Sequence, residues 1–79
     1  MKLKKILPHL YFLMPIQIIE YNNGNEEILF EGLVDNIPWR FAELELDTDA
    51  NGEAISIFQK EGQREPILNI YVKTEGKDI

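Results

Sequence analysis

The stretch Ile16-Gln17-Ile18-Ile19-Glu20-Tyr21-Asn22-Asn23-Gly24-Asn25-Glu26-Glu27-Ile28-Leu29-Phe30-Glu31-Gly32-Leu33-Val34 decides the fold class, because its hydrophobic period is two. In an extended chain Ile16 and Ile18 fall on one side, and Gln17, Ile19 and Tyr21 on the other. Asn and Gly tolerate the positive φ of tight turns. Asn22 to Asn25 therefore reads as the bend of a hairpin whose second arm runs from Glu26 to Val34. Two registers compete. A three-residue loop Asn22-Asn23-Gly24, with Gly24 in a left-handed bulge position, sets Ile18 opposite Ile28 and Ile16 opposite Phe30 on one continuous apolar face. A two-residue loop Asn23-Gly24 sets Ile18 opposite Leu29 and spreads apolar residues over both faces. The first register is the preferred expectation.

Working outward, a second hairpin is expected from Ala54 to Lys60 and from Pro66 to Lys73, turning at Glu61-Gly62-Gln63-Arg64. Ile55 and Ile57 face one way on its first arm, as Leu68, Ile70 and Val72 do on its second. Pro66 has no N–H to give a ladder, so it suits only a strand start or an edge. Towards the amino terminus, Leu3, Ile6, Leu7 and Leu10 follow the spacing of one helical face. A short helix from about Lys2 is expected to end or loosen near Leu7, because Pro8 disfavours helical geometry at the residue before it. Between the hairpins, Asp35-Asn36-Ile37-Pro38 combines capping residues with a proline suited to a first turn, which predicts one or two helical turns over Pro38 to Leu44. Glu43, Glu45 and Asp47 alternate with Leu44 and Leu46, so a strand there competes with the helix.

The expected architecture is α+β: a short N-terminal helix, then two antiparallel hairpins forming a curved four-stranded sheet, with a short helix between them. The alternative is a small SH3-like β-barrel of five strands, which requires Glu43 to Asp47 to be extended. Residues 1–73 read as a single domain and 74–79 as a flexible C-terminal tail.

Seventy-nine residues leave room for one domain only, and with no cysteine it has neither disulfides nor thiolate metal sites. A chain this short buries about 60% of its unfolded surface, so its core must be compact or completed by a partner. Eight basic against fourteen acidic side chains give a net charge of −6, which argues against direct nucleic-acid binding. Lys2, Lys4 and Lys5 before the apolar run Ile6 to Ile19 have the order of a signal peptide, but Pro8, His9, Pro15 and Gln17 interrupt it. No apolar segment approaches the roughly 20 residues of a membrane span, and a cytoplasmic protein is the expectation.

The spacing of Leu7-Pro8-His9-Leu10, Ile28-Leu29-Phe30-Glu31-Gly32, Ile37-Pro38-Trp39 and Ile67-Leu68-Asn69-Ile70-Tyr71-Val72 resembles small uncharacterised proteins carried by phages and mobile elements of gut bacteria. The resemblance rests on hydrophobic pattern, and Asp47 to Gly52 looks like an addition to it. It implies an accessory role and assigns no residue a function.

Groups able to carry chemistry are sparse. Asp47-Thr48-Asp49-Ala50-Asn51-Gly52 matches the opening half of a calcium loop, but the closing bidentate Glu is replaced by Phe58. A turn is therefore the expectation, with no metal and no other cofactor. The chain has one serine, Ser56, in a strand pattern and one histidine, His9, at a helix end, which is no nucleophilic triad. A non-enzymatic protein with no evident small-molecule substrate is expected. Tyr11-Phe12-Leu13-Met14 are four consecutive large apolar residues that cannot all point inward, so part of their surface is expected to be covered by a partner. Trp39 and Arg40 belong to the types enriched at binding hot spots, although the sole tryptophan of so small a domain is expected to close the core before it serves as an anchor. The expected role is protein–protein interaction, with a protein partner or a second copy meeting Tyr11 to Met14, Trp39 and Arg40, or a sheet edge. The alternative is an acidic protein that mimics phosphate charge and inhibits a nucleic-acid-binding partner through Glu43, Glu45, Asp47, Asp49 and Glu53.

Overall fold

A computed structural model describes residues 1–22, 24–47, 52–59, 61–62 and 65–74. They form mostly strands, in one mixed sheet, with a short helix at the start: α1 (Leu3–Ile6), β1 (Pro15–Asn22), β2 (Asn25–Leu33), β3 (Glu45–Leu46), β4 (Ile55–Phe58) and β5 (Ile67–Lys73). Single 3-10 turns fill Leu7–His9, Val34–Asn36 and Trp39–Phe41. No helix among the described residues is long and apolar enough to cross a membrane.

Both hairpins form as their period predicts, β1 with β2 and β4 with β5. The four-stranded antiparallel sheet does not. The hairpins join through β1 and β5, which lie parallel with Ile16 level with Leu68 and Ile18 level with Ile70. On the far side of β5, β4 lies along Ile67 to Ile70 and the two-residue β3 beside Val72 and Lys73. Five strands in a mixed sheet result, in the order β2-β1-β5-β3 with β4 also on β5. No pairing among the described residues joins β2 back to β3 or β4, so the sheet stays open and the barrel alternative is not formed. Central strands bury both faces, which explains the consecutive buried residues Ile18 and Ile19 on β1 and Ile70, Tyr71 and Val72 on β5.

The register of the first hairpin also differs from the preferred expectation. Asn22 pairs with Asn25, which is the two-residue loop, and the register slips by one between Ile18 and Ile19. Leu29 is the extra residue of that bulge. Ile18 therefore sits opposite Phe30, Ile16 opposite Gly32, and Ile28 opposite Ile19 on the other face. The bulge lets Leu29 and Phe30 both reach the core, which strict alternation forbids. Gly24 keeps the expected positive φ, at 85°. Gly32 leaves room for Phe30: a Cβ there would lie 3.1 Å from the end of its ring.

One face of the sheet carries the core. Ile16, Ile18, Ile70 and Val72 meet Leu3, Phe41 and Leu44, with Ile6, Leu7, Leu10 and Val34 packed around them. Every described helical apolar residue except Trp39 lies in this layer, as the spacing of α1 predicts. Pro8 falls within the 3-10 turn that follows α1, the loosened end its geometry requires. The Leu3 N–H donates to the Leu44 carbonyl at 2.8 Å, Lys4 to Ala42 at 2.9 Å, and Leu46 to Met1 at 2.8 Å. These bonds lay the first residues against 42–46, and burying Leu3 there stabilises the fold by about 2 kcal/mol.

Asp35 and Asn36 do not cap the helix expected over Pro38 to Leu44. They sit inside their own 3-10 turn, and the short turn Trp39–Phe41 starts at Pro38 with no side-chain cap. Helix and strand are each partly right for this segment: one turn, then the two extended residues Glu45 and Leu46. Of the 74–79 tail only Thr74 is described. Its N–H and hydroxyl both donate to Glu20 Oε2.

Candidate functional site

Tyr11 to Met14 form a turn in the link from the Leu7–His9 turn to β1. The Met14 N–H donates to the Tyr11 carbonyl at 3.0 Å, Val34 to Met14 at 3.0 Å, and Asp35 to Phe12 at 2.9 Å. These bonds fix the backbone, and the side chains have to go outward. Tyr11 is 58% exposed and Phe12 54%, with ring centroids 5.1 Å apart in a tilted pair. Leu13 is exposed and Met14 half-buried, packed against the core. Tyr11, Leu13 and Met14 line a depression with Pro15 and Pro66, because β1 and β5 start side by side. An aromatic pair on a hydrogen-bonded turn loses little conformational freedom on contact, which suits it to recognition.

Trp39 corrects an expectation: it does not close the core but stands 82% exposed. In a turn of three residues one side chain points inward, and here it is Phe41 that does so, 6.2 Å from the ring of Phe30. Trp39 instead borders a depression with Lys4, Lys5, Leu7 and Pro8. Arg40 is exposed and lays its guanidinium over the Phe41 ring at 5.1 Å. Of the six residues singled out by sequence, Trp39 thus borders one depression and Tyr11, Leu13 and Met14 another.

Much of the acidic stripe is engaged within the chain. Lys2 Nζ lies 2.8 Å and Lys4 Nζ 2.9 Å from the two Glu43 oxygens, and the amino terminus 3.2 Å from Glu45. The hydrogen bonds from Lys2 and then Lys4 hold the Glu43 carboxyl down at about 2, and the same bond raises Lys2 above its ordinary value. Lys2 and Lys4, at the start of α1, thus clasp Glu43. Asp47 gives its N–H to the Tyr71 carbonyl at 2.8 Å, while Thr48 to Asn51 of the half calcium loop lie outside the described residues. Among the described residues no three His, Cys, Asp or Glu gather as metal ligands. Ser56 is half-buried on β4 opposite Asn69, and His9 is exposed.

A surface that sequence reasoning missed lies on the second face of the sheet. The two-residue loop puts Ile28, 54% exposed, opposite Ile19 there, with Tyr71 on the other side of Ile19. The alternation of Gln17, Ile19 and Tyr21 points to this face, whereas the preferred register sets Ile28 on the core face. The exposed Ile57, at 73%, borders the same depression. No family model, curated protein or solved structure matches this chain.

Proposed function

We propose that this chain is a non-enzymatic interaction protein, an accessory factor of the kind its resemblance to phage and mobile-element proteins implies, which self-associates through the Tyr11-Phe12-Leu13 turn. The observation that carries the reading is an exposed aromatic pair on a backbone tied to the 3-10 turn at Val34–Asn36. Three large apolar side chains held outward cost solvation in an isolated molecule, and a partner surface removes that cost. The architecture beneath it is best classed as α+β, with the helical turns segregated to one face of the sheet.

Charge mimicry is less well supported, because Glu43 and Glu45 already answer Lys2, Lys4 and the amino terminus. Sedimentation from about 1 μM to 1 mM tests the main reading. The wild type is expected to associate at the upper end and Tyr11→Ser/Phe12→Ser to stay monomeric. A wild type that is monomeric throughout, or a variant that associates equally, overturns it.

A further inference from the structure

The second face of the sheet carries a depression of about 370 Å³ whose floor is apolar and to which β2 contributes Glu26. Ile19, Ile28 and Tyr71 supply the floor. Glu26 accepts a hydrogen bond from the Tyr71 hydroxyl at 3.2 Å, and Glu31 accepts one from the Gln17 amide, so both carboxylates are held at this face as ready-oriented acceptors. No described cation lines the depression. Within it Asn69 Oδ1 is buried without a hydrogen-bond partner.

We propose that this face is the docking surface for a basic, amphipathic segment of a partner protein, in which Lys or Arg alternates with apolar side chains. The apolar residues meet Ile19 and Ile28, and the cations meet Glu26 and Glu31. Charge decides the class of occupant. A second copy meeting it face to face brings the same carboxylates against Glu26 and Glu31, and a nucleic acid brings phosphates to a molecule of net charge −6, so both are repelled. The proposal rests on reading the chain as an interaction protein, but on a different surface from the Tyr11–Leu13 turn.

An octapeptide of alternating lysine and valine, titrated into the full 15N-labelled chain, tests it, with a glutamate–valine octapeptide as control. Binding below about 1 mM is expected, with amide shifts at Ile19, Ile28, Asn69 and Tyr71 that weaken as salt rises. Glu31→Gln and Ile28→Ser, both at exposed side chains, are each expected to weaken binding at least about threefold, and Glu26→Lys/Glu31→Lys at least about tenfold. Tyr11→Ser/Phe12→Ser is expected to bind as the wild type does. No binding at 1 mM, equal binding of the acidic peptide, indifference to salt, or shifts confined to Tyr11–Leu13 overturns the proposal. Loss of peptide binding with self-association intact removes this proposal alone, and the reverse removes only the self-association reading.

Discussion

The two faces of one sheet use the same kinds of side chain for different ends. On the first, Ile16, Ile18, Ile70 and Val72 are closed over by Leu3, Phe41 and Leu44. On the second, Ile19 and Tyr71 are buried, and Ile28 stands open in the same depression as Glu26. Hydrophobicity alone does not tell the faces apart. What separates them is which face the helical turns cover, and that follows from the stitching of residues 1–4 to 42–46.

The sharpest way to break this comparison is to truncate one residue on each face. Ile18→Ala is expected to cost about 2–5 kcal/mol, since it empties space in a closed core. Ile28→Ala should stay within about 0.5 kcal/mol. Urea unfolding with an unchanged slope measures both, and equal costs would mean that the second face is also closed.

A smaller effect sharpens the hairpin that feeds both faces. Gly24→Ala is expected to cost about 1–2 kcal/mol, from the left-handed backbone alone, because a Cβ at Gly24 meets nothing within 4 Å. Urea unfolding that finds no cost would show that the turn can relax to another register.

How much of this was legible in the sequence depends on the range of the interaction. The period-two runs of β1 and β5 and the break at Pro8 are local, and the structure follows them. The parallel pairing of β1 with β5 is written in neither strand, because each would also fit as the centre of an antiparallel sheet. The two-residue loop moved Ile28 to the Ile19 face, and the bulge at Leu29 returned Phe30 to the core face, since one extra residue inverts every side chain beyond it. Trp39 misled because size favours burial, whereas a turn of three residues gave the inward position to Phe41. The outward Tyr11 to Leu13 were legible for a simpler reason: four large neighbours cannot share one interior.

The smallest effect concerns the clasp over the covered face. The folded Glu43 carboxyl is held below its ordinary value of 4.5, at about 2, so its contribution is complete above 4.5 and is lost as pH falls towards 2. Lys2 is raised, so its share is present below 10.5 and lost as pH rises beyond that. Both groups are exposed, and salt should weaken the pair. An NMR titration of the Glu43 carboxyl carbon checks the direction: a midpoint at 4.5 or above would remove the clasp, and Lys2→Met/Lys4→Met is expected to restore the ordinary value.

On the proposed reading, one set of apolar side chains holds the fold while another is kept outside it for association. Relaxation of side-chain NMR signals by a soluble paramagnetic agent, read at low and at high protein concentration, tests it most directly. The account predicts that Ile18 and Phe41 are shielded at both concentrations, and that Ile28 is accessible at both. Tyr11 and Phe12 should be accessible when dilute and become shielded when concentrated. Tyr11 and Phe12 shielded even in a dilute monomer would contradict it.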